Sequence, residues 1–201
     1  MANSLDNVNR ILDKASLQFQ LSFMALFIGL YECMKKHFVS RTEALTCDRL
    51  KNDKKGNRVF DHNELYKEIT KGRIINGRKV KDEFLNIIQW LKELNAINEE
   101  EASLVAQLRE KRNLYAHDMP NLIRNGVPEC DAKSLFDLLQ IFNKLDKWWI
   151  NEIEIPITAE AEVADNYDKN SVVSVDLLAF KVMINTLYGN ESDDIINDNN
   201  G

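Results

Sequence analysis

Leu5, Val8, Ile11, Leu12, Ala15 and Phe19 recur at helical spacing and predict one or two helices over residues 5–38. Beyond Phe19 the chain is apolar nearly all round, as expected of a helix at the centre of a bundle. Residues 39–63 are polar and charged, and Asn52-Asp53-Lys54-Lys55-Gly56-Asn57 is a loop signal, so a mobile insertion is expected there. A short helix is predicted over 63–70, and Gly72 and Gly77 mark either a plain connection or a small hairpin. Val80, Phe84, Ile87, Ile88, Leu91 and Leu94 share one face of a helix over 80–94. Asn95-Ala96-Ile97 is a tight link to the next helix, where Asn98 and Glu101 form a capping box. Ala102, Val105, Leu108 and Arg112 run along one side of it, and Pro120 should stop it near His117 or Asp118. Asp131 or Ser134 opens a further helix through Leu135, Leu138, Leu139, Phe142, Leu145, Trp149 and Ile150. An extended piece over 153–157 and an acidic linker over 160–170 follow. Ser174 caps a last helix over 175–188 that Gly189 closes, and the polar tail 191–201 is expected to be disordered.

These elements predict an all-α fold: a bundle of four to six helices with a charged insertion and an acidic C-terminal extension. In domain terms this means a helical domain over 1–155 (insertion 39–79), a linker and accessory helix over 156–190, and the tail 191–201. Only 7 Gly and 3 Pro in 201 residues argue against an all-β sandwich or barrel. Cys33, Cys47 and Cys130 include no Cys-x-x-Cys pair, which fits a reducing compartment. No secretory leader opens the sequence. The apolar stretch 19–34 carries Gln20, Ser22 and Glu32, short of an uninterrupted membrane span. A cytoplasmic protein is expected, without membrane association. The formal charge of −6 hides a division. Residues 35–81 hold 14 Lys and Arg against 6 Asp and Glu, whereas 151–201 hold 2 against 11. Overall acidity therefore does not exclude a polyanionic partner for the middle of the chain, although both stretches are also what solvated faces look like.

Three histidines are present. His37 sits beside Lys35 and Lys36 where the first helix is expected to close, and a helix C-terminus accommodates a cation. His62 is accounted for by a turn or helix start, and neither has a second ligand at metal spacing. His117 ends the run Leu108-Arg109-Glu110-Lys111-Arg112-Asn113-Leu114-Tyr115-Ala116-His117 on a capped amphipathic helix. There an arginine, a polar residue directly after it and a histidine five positions on follow a hydrophobic residue upstream. Glycine-rich phosphate loops, His-Glu-x-x-His and Gly-x-Ser-x-Gly are absent from the sequence. Trp148-Trp149 offers stacking surface, but Trp149 at the end of an amphipathic helix reads as core.

The run Leu108–His117, within a helical frame over about 5–150, resembles the HEPN family (higher eukaryotes and prokaryotes nucleotide-binding domains). The resemblance implies a metal-independent endoribonuclease with no cofactor, acting as a toxin or antiviral, abortive-infection effector. In that reading Arg112 holds the scissile phosphate and His117 is general acid or base on the ribose 2′-hydroxyl or the leaving oxygen. Asn113 bonds phosphate or orients a catalytic group, and Tyr115 is packing. Glu32 matches the acidic residue that approaches the motif arginine in the family; equally, it faces solvent near Lys35 and Lys36. Five residues of regular helix turn by about 500°, leaving Arg112 and His117 about 140° apart. Either local unwinding near Pro120 or a second chain must bring them together, and the resemblance implies a homodimer with a composite site. The expected partners are RNA, a second copy, and an antitoxin or defence-system protein. Family toxins neutralised by nucleotidyltransferases carry a modified tyrosine two residues after the histidine; here Met119 stands there, which argues against that mode of neutralisation. The alternative function is a non-catalytic helical subunit that binds a partner protein or RNA.

Overall fold

Between Lys14 and Thr46 the sequence has one glycine and no proline, and it forms a single 33-residue helix, α1 (Lys14–Thr46). The structure, a computed structural model, describes residues 13–47, 49–75, 78–125, 130–158 and 167–188. The expected positions Leu5, Val8, Ile11 and Leu12, the Gly189 cap and the tail 191–201 lie outside those residues. α1 runs past the expected end at Phe38, and the physical reason is local. The Thr42 and Thr46 hydroxyls donate to the carbonyls of Phe38 and Thr42, each at 2.7 Å, so two polar residues are buried within a helix without cost in lost hydrogen bonds. Nor is α1 buried all round. Phe23, Met24, Phe27, Leu30, Tyr31, Met34 and Phe38 form a broad buried stripe, while Phe19 and Leu21 are exposed. Among the described residues α1 is the one helix long and apolar enough to cross a membrane by length and composition, and 39% of its most apolar window is buried.

The described residues in the rest of the expected insertion form two hairpins and a helix. β1 (Leu50–Asn52) pairs antiparallel with β2 (Arg58–Phe60), followed by α2 (Glu64–Thr70), capped by Asn63, whose side chain accepts from the Tyr66 amide at 2.9 Å. After Gly72 the chain adopts the hairpin: β3 (Ile74–Ile75) pairs with β4 (Arg78–Lys79). Fully buried Asn86 decides this. Its carbonyl oxygen accepts from the Arg73 amide at 3.0 Å, and its amide group donates to Asp82 and Val80 carbonyls on the far side. α3 (Glu83–Glu93) starts three residues later than the apolar pattern suggests, because Asp82 is its N-cap. At its end Asn95 adopts φ 61°. The Ala96 amide donates to Leu91 and the Asn95 amide to Lys92, which is a Schellman turn. Asn98 and Glu101 then form the reciprocal capping box, 2.8 Å in both directions, that opens α4 (Glu99–His117).

After α4 come a short α5 (Met119–Asn125) and α6 (Cys130–Trp149). Residues 153–157 are helical rather than extended. A wide π-helical turn (Ile150–Glu154) continues α6 into α7 (Ile155–Thr158), with the Ile155 amide donating to Ile150. Pro156 permits a helical path here: it offers no amide, and widening the turn ahead of it relieves the clash of its ring with the preceding turn. α8 (Val175–Tyr188) has the expected bounds, and the Ser174 hydroxyl accepts from the Leu177 amide. The fold is thus all-α, with two short hairpins.

The chain divides into two compact units, the described residues of Met1–Tyr31 with Gln107–Gly201, and Glu32–Ala106. The first centres on Phe23, Phe27, Tyr115, Leu138, Phe142 and Trp149, with Leu177 and Ile184 from α8. The second centres on Met34, Phe38, Tyr66, Phe84, Ile87, Ile88 and Val105.

Two outcomes are expected. Asn95→Ala places a Cβ-bearing residue without a compensating side-chain hydrogen bond at positive φ and should cost about 1 kcal/mol, whereas Asn95→Gly should be neutral or slightly stabilising. Shifted denaturant midpoints at constant m-value would show it. The Tyr188 ring packs edge-on against Phe19 at 5.8 Å and tilted against Phe136 at 5.5 Å, and burial of its hydroxyl pushes the phenol up to about 12. Folding therefore favours the neutral phenol. That contribution is complete below pH 10 and is lost as pH rises from 10 through about 12. Tyr188→Phe should remove this alkaline loss in pH-dependent melting.

Candidate active site

Tyr115 sets the geometry of the motif helix. Its ring is fully buried, edge-on to Phe27 at 5.0 Å and to Phe23 at 5.8 Å, both on α1. Such edge-to-face pairs add to the burial of a large ring and fix its direction. With Tyr115 turned inward, rotation of about 100° per residue puts Asn113 and His117 both about 160° away, on opposite sides of the outward direction. They are one turn apart and share the outward face, with Cβ atoms about 5–6 Å apart. His117 is exposed, and Asn113 and Arg112 are half-buried.

Arg112 lies about 60° from Tyr115 around the axis. Its guanidinium is drawn toward its neighbour: Arg112 Nη1 donates to Asn113 Oδ1 at 3.0 Å. Asn113 thus stands between the other two, bonded to the arginine and one turn from the histidine. The helix does not unwind to assist. The Asp118 amide still donates to the Leu114 carbonyl at 2.8 Å, so the turn carrying His117 is regular. The helix then ends where Pro120 requires, and the chain re-enters a helix at once. Asp118 starts α5, its backbone carbonyl accepting from Asn121 and Leu122 and its carboxylate from the Asn121 side chain at 2.5 Å. Proline is tolerated there in a first turn, where no amide is needed.

A residue that the motif reading passed over braces the site. Lys111 Nζ donates to Ser134 Oγ on α6 at 2.6 Å. The partners are 23 positions apart and belong to no periodic pattern, so no sequence signal marks the pair. Nearby Arg109 pairs with exposed Glu110 at 2.8 Å. Glu32 is half-buried on α1 and belongs to the unit Glu32–Ala106, while Arg112, Asn113 and His117 belong to the other.

The remaining candidates take structural places. His37 lies within α1 rather than at its end, edge-on to Phe38 at 5.2 Å. His62 bonds Glu43 at 2.7 Å and stacks on Tyr66 at 4.1 Å, and Tyr66 in turn donates to Glu83 at 2.8 Å. Burial, reinforced by Glu83, holds the Tyr66 phenol well above its usual range. Trp149 is core, 2% exposed. Among the described residues no three His, Cys, Asp or Glu side chains cluster to hold a metal ion.

No family model, curated protein or solved structure matches this chain.

The packing separates two kinds of motif residue. Tyr115→Ala should cost about 3–5 kcal/mol, as large-to-small changes of buried aromatics do. His117→Ala, at an exposed helix end, should stay within about 0.5 kcal/mol of wild type. Chemical denaturation of the two variants side by side tests this assignment.

Proposed function

We propose that the chain is a HEPN-type, metal-independent endoribonuclease, acting in the cytoplasm as a toxin or antiviral effector. The observation that carries the reading is the Arg112–Asn113 bond beside outward-facing, exposed His117. A guanidinium, an amide and an imidazole lie within the last two turns of one helix, the amide and the imidazole on its outward face. In this reading Arg112 grips a phosphate oxygen and keeps its charge throughout. Asn113 sets the arginine's direction. His117, an imidazole within reach of solvent, takes the proton of the 2′-hydroxyl or returns one to the leaving 5′-oxygen. The 2′-oxygen bonds phosphorus, the bond to the 5′-oxygen breaks, and a 2′,3′-cyclic phosphate remains. Within one chain the side chains do not converge on a single phosphate, so a two-fold dimer supplies the second arginine and histidine. An antitoxin or defence-system protein controls it.

A non-catalytic partner-binding subunit is the second reading, favoured by α8, where Val175 (82%), Leu178 (50%) and Val182 (59%) leave an apolar face exposed.

The two separate cleanly by experiment. In the nuclease reading His117→Ala lowers RNA cleavage by about 10²–10⁴-fold and Arg112→Ala by about 10²–10³-fold, with circular dichroism unchanged. Cleavage persists in EDTA and leaves a cyclic phosphate end. Mixing His117→Ala with wild type lowers activity beyond dilution. A wild-type protein that cuts no RNA and leaves growth unaffected would establish the second reading.

A further inference from the structure

We propose that the β1–β2 hairpin is an arm that binds single-stranded RNA through its phosphates. The choice of ligand rests on the nuclease reading above; the arm itself is argued from the hairpin.

β1 and β2 are exposed on both faces, with only Phe60 half-buried. An isolated two-stranded hairpin is marginal in water, and this one is held by its turn rather than by a core. The Asp53 carboxylate accepts from the Lys55 and Asn57 amides, both at 2.8 Å, and from the Asn57 side chain. Gly56 takes the left-handed conformation (φ 83°), giving the three-residue loop with a bulge that such hairpins use. Lys51 is paired with Asp61 at 2.7 Å. Both described carboxylates of the hairpin are therefore spent on its own architecture. Arg49, Lys54, Lys55 and Arg58 remain exposed; Arg49 acts on the Asp61 carboxylate, while Lys54, Lys55 and Arg58 have no acidic partner among the described residues. In a protein of net charge −6, four cations offered on a projection that buries almost nothing are placed for a polyanion.

The register decides between polyanions. Leu50 faces the same side as Asn52, Arg58 and Phe60, whereas Val59 lies on the other face with Lys51. The apolar residues are thus divided between the faces, and there is no apolar side to enter a lipid surface, which needs an amphipathic one. Cations at the tip and along the strands, from Arg49 to Lys54, span about 17 Å at the usual rise per residue. That is enough for several successive phosphates.

The experiment measures full-length protein binding a fluorescent 2′-O-methyl RNA strand by anisotropy across a salt series. This probe lacks the attacking hydroxyl and reports binding alone. The triple variant Lys54→Ala, Lys55→Ala, Arg58→Ala should bind about tenfold or more weakly at low salt. The slope of log affinity against log salt should fall by about 2, at about 0.7 per lost phosphate contact. Lys54→Arg with Lys55→Arg should retain wild-type binding. Equal affinity and slope in wild type and the alanine variant would overturn the arm, as would binding of anionic vesicles without binding of RNA. Hairpin-dependent binding without cleavage of ordinary RNA would overturn the nuclease reading alone. Cleavage with hairpin-independent binding would overturn the arm alone.

Discussion

The edge-to-face packing of Tyr115 on Phe23 and Phe27 is the constraint on which the motif depends. A helix is free to roll about its axis until a large buried side chain fixes it, and Tyr115 is the largest fully buried residue of the motif run. Once it points inward, the outward placement of Asn113 and His117 is a matter of 100° per residue. The half-buried position of Arg112 follows as well. Lys111 on Ser134 adds a polar brace from α6. The core thus presents the polar residues without contributing any chemistry of its own.

The unit Glu32–Ala106 is held differently. It has an apolar centre, but its irregular connections are pinned by single polar side chains with several bonds each. Asn63 caps α2 and also donates to the Thr46 carbonyl. Asn86 ties the second hairpin to α3. Arg73 bonds the Ile69 carbonyl and pairs with Glu93. Buried polar groups are costly unless satisfied, so each of these sites specifies one arrangement of its loop. The β1–β2 hairpin is the exception, since its bonds are its own and its side chains are left to solvent.

Polar content in this chain therefore has two meanings that composition does not separate. The polar residues of 39–46 continue a helix because threonine hydroxyls return to the preceding turn. Those of 49–61 build a projecting hairpin. The acidic excess of 151–201 begins in a helical continuation of α6 rather than in an extended segment.

By itself the sequence determined what depends on near neighbours. The bounds of the last helix, the Asn98–Glu101 box, the stop before Pro120 and the inward role of Tyr115 and Trp149 were legible because periodicity, caps and proline act within a turn or two. The grouping of Arg112, Asn113 and His117 was legible as spacing, and so was the 140° that separates its ends. Only the tertiary structure decided that Arg112 leans to Asn113, that the motif helix stays regular through His117, and that a hairpin follows Gly72. It also decided that α1 runs on to Thr46. The first, second and last of these rest on near neighbours whose choice among several possible bonds the pattern leaves open, whereas others rest on distant partners: Asn86, whose side-chain oxygen lies 13 residues from Arg73, a serine 23 residues from Lys111, and a phenylalanine on another helix. Contacts between distant residues carry no period, and only the folded chain sets them side by side.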